Sequence, residues 1–304
     1  MISLRQLRYF DAVARTGNFG EAANQCAVTQ PALSMQIQEL ERALDMRLME
    51  RSRRGVTLTE PGREIARRAA RILTGVRDIV DFARSQGELA AGPLHLGVIP
   101  SIAPYVLPAL LPRIHEAMPD LDLHLRETQT QQLTRELIDG QLDLLLLALP
   151  VEHPDIEALK LFDDRFLLAM PASRRIDHAI LATPELLERD RLLLLEEGHC
   201  LREQALAFCS LRRIDNFDTF GASSLSTIVQ MVANGLGMTL LPELCITLEG
   251  RRADIRLMRF AEPQPKRAIG LAWRRSSPRR HHYAELGALI TEATAAQMQA
   301  AARL

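Results

Sequence analysis

Beyond Gly92 the chain repeats one pattern: a short run of apolar residues, a polar break, then apolar residues at helical spacing. HLGVI (95–99) leads into a predicted helix from Ala103 to Met118, and LDLHLRE (121–127) into one from Gln131 to Gly140. LDLLLLAL (142–149), FLLAMP (166–171), RLLLLE (191–196), GMTLLP (237–242) and RAIGLAW (267–273) are further strand-like runs, and a last helix is predicted from Pro278 to about Ala300. Strands covered on both faces carry continuous apolar runs rather than alternation, so the pattern calls for an α/β domain with mainly parallel sheets. Two lobes are expected, lobe I from 92–161 with 266–304 and lobe II from 162–265. In such folds ligands sit at the carboxyl ends of strands, where this chain offers Pro100 and Ser101, Glu127 to Gln131, and Gly198, His199 and Cys200.

Residues 1–60 read differently, as short amphipathic helices followed by a hairpin. Leu4, Leu7 and Phe10 to Ala14 mark one helix, Gly20 to Cys26 a second, and VTQPALSMQIQELERAL a third. Thr29 stands where an N-cap is expected and Pro31 in the first turn, where its missing N–H costs nothing. Leu33, Ile37, Leu40 and Leu44 make one buried stripe, leaving Pro31, Ser34, Met35, Gln38 and Arg42 on the opposite side, with Gln30 at the start. A polar face of Ser and Gln suits base edges and phosphates, and a short helix and a tight turn near Ala27 precede it, the order of a helix-turn-helix. RSRRGVTLTEPG then alternates like a wing that sets Arg51, Arg53 and Arg54 against phosphates. From Pro61 to Gly87 a long helix carries Ile65, Ala69, Ile72, Val76, Ile79 and Ala83 at steps of four and three, the seam of a dimerising coiled coil. AAGPL (90–94) links residues 61–91 to the second domain, 92–304.

Composition sets outer limits. The 304 residues are 47% hydrophobic, enough for two cored domains. No apolar run approaches the roughly 18–20 residues that cross a bilayer, and the start MISLRQLRYF lacks a signal peptide's apolar region, so a cytoplasmic protein without membrane contact is expected. Charge is unevenly divided: 14 basic against 11 acidic side chains up to Ala91, 23 against 27 beyond. Four scattered cysteines form no disulfide framework and no metal-binding spacing, so no metal or cofactor is expected.

The stretch LRQLRYFDAVARTGNFGEAANQCAVTQPALSMQIQELERALDMRLMERSRRGVTLTEPG resembles the LysR-type transcriptional regulators, and the resemblance runs through essentially the whole chain. It implies a winged helix-turn-helix, a dimerising linker helix and a two-lobed effector domain similar to periplasmic binding proteins. Double-stranded operator DNA of two-fold character, RNA polymerase, and self-association as dimers pairing into tetramers are the implied partners. GHCLREQALAFC, GVIPSIAPYVLP and ETQTQQL are similar to segments of a peroxide-sensing branch that activates antioxidant genes. By that resemblance Cys200 is the cysteine oxidised by hydrogen peroxide and Cys209 its resolving partner, while Ser101, Thr130, His199 and Arg202 surround the peroxide. Ser101 departs from the usual threonine; it keeps the hydroxyl and loses the methyl that restricts the rotamer, which implies looser positioning.

The residues themselves fit that chemistry. Cys200 falls in the first turn of a predicted helix, where free N–H groups favour an anion, and His199 and Arg202 add cationic neighbours. Cys209 lies near Leu201, Ala205 and Phe208 and reads as a small buried hydrophobe, as do Cys26 and Cys245 in their own settings. Two other readings compete. A thiol peroxidase shares the chemistry but has no use for a DNA-binding head, so an enzyme is not expected. A metabolite-responsive regulator explains everything except the Cys200 and Cys209 pair.

Overall fold

The computed structural model describes residues 1–52, 55–85, 92–174, 181–183, 186, 191–211, 217–218, 222–250 and 253–302. The chain divides into two compact units, Met1–Gly87 with Ile138–Gln141, and Glu88–Leu137 with Leu142–Leu304.

In the first unit α1 (Leu4–Thr16) opens with a reciprocal capping box: Gln6 N donates to Ser3 Oγ at 3.2 Å and Ser3 N donates to Gln6 Oε1 at 2.9 Å. It closes on Gly17 in the left-handed region, φ 62°. In α2 (Phe19–Gln25) Asn18 Oδ1 accepts from the amides of Gly20 and Glu21. The turn passes through Ala27 at φ 55°, and α3 (Gln30–Leu44) follows. Thr29 is its N-cap by position, yet its side chain makes no capping bond. Leu33, Ile37 and Leu40 are buried against Phe10, Val13 and Ala22, and Leu44 is partly buried on the same core. The wing is an antiparallel hairpin, β1 (Met49–Ser52) and β2 (Gly55–Leu58), with Met49 opposite Leu58 and Ser52 opposite Gly55. Val56 N donates to Gly17 O at 3.0 Å and ties the wing to the end of α1.

The long helix α4 (Glu60–Ser85) does not present the expected seam uniformly. Ala69 is 1% exposed, and Ile65, Ala66 and Leu73 pack on the helix-turn-helix core, so the first half of α4 is part of that core. Exposure begins further on, with Ile72 at 46%, Ile79 at 69% and Phe82 at 56%. One repeat therefore serves two surfaces in succession.

The second unit contains, in order, β3 (Gly92–Val98), α5 (Ala103–Ala117), β4 (Leu121–Glu127), α6 (Thr130–Ile138), β5 (Leu144–Leu149), β6 (Ile156–Pro171), β7 (Leu192–Leu193), α7 (Cys200–Leu211) and β8 (Phe217–Asp218). After these come α8 (Leu225–Ala233), β9 (Thr239–Pro242), a 3-10 turn (Glu243–Cys245), α9 (Ile246–Glu249), β10 (Ile255–Arg259), β11 (Lys266–Arg274) and α10 (Arg280–Ala302). Among the described residues seven strands form one sheet in the order β10-β6-β11-β5-β3-β4, with β9 also on β6, and β7 pairs with β8 apart from it. The expectation of mainly parallel sheets is overturned. β3 is parallel to β4 and β5, whereas β11 with β5, and β6 with β11, β10 and β9, are antiparallel. β6 causes this: it runs 16 residues, pairing with β11 along Ile156–Arg165 and with β10 and β9 beyond, so the chain threads both halves of the sheet on one strand without a crossover helix. Only Phe166–Met170 forms a fully buried run; the first half alternates, and hence lacks the apolar run by which a strand was expected. RLLLLE is buried for most of its length but supplies only the two residues of β7.

Leu144 to Leu147, Ile269 and Leu271 are fully buried at the sheet centre, each such side chain contributing about 1.5–3 kcal/mol by leaving water. At the far end of α10, Arg259 donates to Glu243 Oε1 at 2.9 Å and to the Ala301 carbonyl, occupying an acceptor the helix leaves open. Among the described residues no helix is long and apolar enough to cross a membrane.

Candidate functional site

Three backbone segments meet at the carboxyl ends of β3 and β4. β3 delivers Ile99, Pro100 and Ser101; β4 delivers Gln129 and Thr130, the latter the first residue of α6; and the start of α7 with the turn before it delivers His199, Cys200 and Leu201. Together they enclose a pocket with about 10 Å³ open to a water-sized molecule. That is near the minimum that holds one water, so the space takes a ligand of that size or little more.

Each wall has a local cause. Gly198 takes φ +93°, and a Cβ there would lie 2.5 Å from Gln129 Oε1, so the turn and the Gln129 side chain approach closely only because residue 198 has no side chain. His199 is buried, its carbonyl accepts from Arg202 N at 3.0 Å to start α7, and its Nε2 lies 3.8 Å from Glu196 Oε1. Cys200 is a free thiol, partly exposed, at the first position of α7. Thr130 Oγ1 is buried with no hydrogen-bond partner among the described residues, an open polar group that a ligand in the pocket can satisfy. Ser101 Oγ accepts from Arg267 Nη1 at 2.8 Å, and Ser101 O accepts from Arg267 Nη2 at 3.1 Å. The rotamer freedom expected of serine is thus restrained by a hydrogen bond in place of a methyl.

Arg202 is not among the residues that line this pocket. Two residues beyond Cys200 on a helix is about 200° around the axis, and its Nη1 donates instead to Leu195 O at 3.4 Å. Arg267 and Asp164 were missed. Arg267 is wholly buried; its Nε and Nη2 lie 3.0 and 2.9 Å from Asp164 Oδ2, and Asp164 Oδ1 accepts from Leu244 N at 3.1 Å. Burial pushes the Asp164 carboxyl up from the usual carboxylate range, against the pull of Arg267 and the Leu244 amide. The available signal was an arginine opening the otherwise apolar run RAIGLAW, since a buried charge requires a partner. Cys26 and Cys245 are buried, and burial pushes the Cys245 thiol well up. The backbone of Cys209 belongs to α7; its side chain lies outside the described residues.

In the first unit Gln30, Pro31, Met35 and Gln38 are exposed along α3, and Ser34 is half-buried between them. Arg51 stands on β1 with its side chain outside the described residues, as Arg53 and Arg54 are altogether.

Residues 4–63 match the bacterial regulatory helix-turn-helix protein, lysR family, and residues 87–295 match the LysR substrate binding domain. The chain belongs to the LysR family. It is 39% identical over 289 residues to the DNA-binding transcriptional dual regulator OxyR of Escherichia coli (strain K12), covering 95% of each chain. A full-length cysteine-to-aspartate variant of OxyR from Pseudomonas aeruginosa superposes with a TM-score of 0.81 at 34% identity, covering 95% of each chain. A hydrogen-peroxide-bound cysteine-to-serine variant of OxyR from Corynebacterium glutamicum gives a TM-score of 0.70 at 33% identity, covering 100% of this chain and 96% of that one. Membership of the LysR family makes the protein a transcriptional regulator with α3 in the helix-turn-helix.

Proposed function

We propose that this LysR-family regulator senses hydrogen peroxide through Cys200 and resolves the oxidised thiol with Cys209. The observation that carries the reading is the pocket: a thiol at a helix start, beside Ser101, an unpartnered Thr130 hydroxyl and His199, with room for a molecule little larger than water. A metabolite requires a pocket of roughly 300 Å³ or more, so the size favours peroxide over the metabolite alternative. The relatives named as OxyR, one of them bound to hydrogen peroxide, support the same assignment.

The thiolate of Cys200 attacks one peroxide oxygen; the S–O bond forms, the O–O bond breaks, and the departing hydroxide takes a proton to become water. Sulfur is oxidised by two electrons to sulfenic acid. Ser101 and Thr130 stabilise negative charge on the departing oxygen. Cys209 then attacks the sulfenic sulfur, and the disulfide forms with loss of a second water. That bond does not close on the helix described here. α7 is continuous from Cys200 to Leu211. Nine residues at about 1.5 Å each separate the two positions by roughly 13 Å along the axis, on opposite sides, whereas a disulfide needs Cα atoms within about 7 Å. α7 must unwind, and the altered effector surface changes how paired protomers present their α3 helices to a two-fold operator.

Mass mapping after a brief peroxide pulse tests this. Cys200→Ser is expected to abolish the response, and Cys209→Ser to stop at sulfenic or sulfinic acid on Cys200. First labelling of Cys209, or a normal response from Cys200→Ser, overturns the roles; an undiminished transcriptional response without either thiol restores the metabolite reading.

A further inference from the structure

We infer that Asp164 is a positioning residue for the reaction of Cys200 with peroxide: through Arg267 it orients the Ser101 hydroxyl to donate a hydrogen bond into the pocket. The inference rests on the peroxide reading above and names a group outside the pocket on which that chemistry depends.

The argument begins with donor and acceptor bookkeeping. A guanidinium has five N–H donors and no acceptor, so where Arg267 Nη1 meets Ser101 Oγ at 2.8 Å the hydroxyl oxygen must accept. Its own hydrogen is then left for whatever occupies the pocket that Ser101 lines. A hydroxyl free to rotate alternates between accepting from peroxide and donating to it; only donation stabilises a departing hydroxide. Arg267 takes one of the two acceptor lone pairs and so biases the hydroxyl toward donation.

Arg267 is in turn aimed by Asp164. Two of its nitrogens, Nε and Nη2, lie within 3.0 Å of Asp164 Oδ2, fixing the guanidinium plane, and Nη2 also reaches Ser101 O. Asp164 Oδ1 is held by the Leu244 amide, so the carboxylate is anchored at both oxygens. The side chains of Asp164 and Arg267 are both fully buried, and neither residue lines the pocket. The relay therefore runs from the 3-10 turn to β6, to β11, to the end of β3, and leaves one polarised O–H beside Cys200. It also supplies the restraint that a threonine methyl would give at position 101. Because Asp164 balances Arg267, the pair delivers orientation rather than a bare positive charge.

The test uses the full-length protein with Cys209→Ser, so that a single oxidation step is read, and measures the rate of Cys200 oxidation by hydrogen peroxide and of its alkylation by iodoacetamide. Alkylation needs an accessible thiolate but no donor to a leaving oxygen of peroxide. Asp164→Asn is expected to slow peroxide oxidation by about tenfold or more, since small misplacements in such sites cost that much, and to leave alkylation within about twofold. Combined with Ser101→Ala, it should add nothing beyond Ser101→Ala alone, to within about twofold. Removing the acid from a buried pair can prevent folding. Asp164→Glu keeps the charge and displaces the carboxylate by one methylene, and the same slowing and the same non-additivity are expected of it. Multiplicative losses in the double variant, or alkylation falling in step with oxidation, overturn the positioning role. A parent Cys200 that alkylates normally yet ignores peroxide overturns the peroxide reading instead, and the two failures are thereby distinguished.

Discussion

At residue 198 a side chain would meet the Gln129 amide on a backbone that L residues rarely adopt. φ is +93°, and a Cβ would stand 2.5 Å from Gln129 Oε1 and 2.9 Å from its Cδ. Gly198→Ala must displace the Gln129 amide and strain the turn, at a cost of order 1–3 kcal/mol. We expect slower oxidation of Cys200 and a lowered thermal midpoint; an alanine variant with unchanged peroxide kinetics would show that Gln129 takes no part in shaping the pocket. Tyr283 gives a second test, of stability. Its hydroxyl lies 3.0 Å from Ser277 Oγ, its ring packs on Trp273, and burial pushes its pKa from 10.0 up to about 12. A raised folded pKa means stability that is fully present below pH 10 and lost as pH rises through about 12. Two units correspond to roughly 2–3 kcal/mol. Denaturation of the parent and of Tyr283→Phe across that window should show the parent losing about this much relative to phenylalanine, which does not titrate. Of the individual residues, Cys200, His199, Ser101 and Thr130 were legible because motif and strand ends point at them. Asp164 and Arg267 are 103 positions apart in sequence, and only the antiparallel pairing of β6 with β11, where Asp164 stands opposite Arg267, makes them neighbours.

Among the elements, α4 and α7 each carry more than their sequence pattern declares. The seam of α4 splits because its first half covers the helix-turn-helix core, which places Ala69 inside and leaves Ile79 outside. Ala69→Asp should therefore unfold the first unit, whereas Ile79→Asp should leave its fold intact and weaken self-association, measured by analytical ultracentrifugation. Equal effects on folding from both would remove the case for α4 as a dimer contact. Helical periodicity identifies an apolar stripe but not what covers it, which is why the division was invisible. For α7 the expectation concerns hydrogen exchange. Residues 201–211 should lose most of their protection on oxidation while residues 65–83 keep theirs. Comparable protection of 201–211 in both states, with the disulfide confirmed, would rule out unwinding.

For the whole molecule, DNA recognition divides into contacts that position and contacts that specify. Arg53→Ala should weaken binding to all sequences and lower the salt slope by about one unit, whereas Gln38→Ala, on the exposed face of α3, should cost roughly 1–3 kcal/mol of discrimination if its contact is bidentate. Equal losses on operator and random DNA for both variants would undo the assignment. The kind of element followed from sequence where the signal was local: turns and apolar periodicity act over a few residues, so the helix-turn-helix, the wing, the long α4 and most of the apolar strand runs were predictable, whereas the first half of β6, β10 and α8 were not. The pairing of those strands was not. A strand's apolar run reports that it is buried without reporting beside what, so the expected mainly parallel sheet became a mixed one in which β6 runs through both halves, antiparallel to β11 in the first. That long-range choice brings Asp164 to Arg267 and Arg267 to Ser101, and thereby decides how the hydroxyl beside Cys200 is held. Local propensity specified the thiol and its helix; only the tertiary pairing of distant strands specified the hydrogen-bond network behind it.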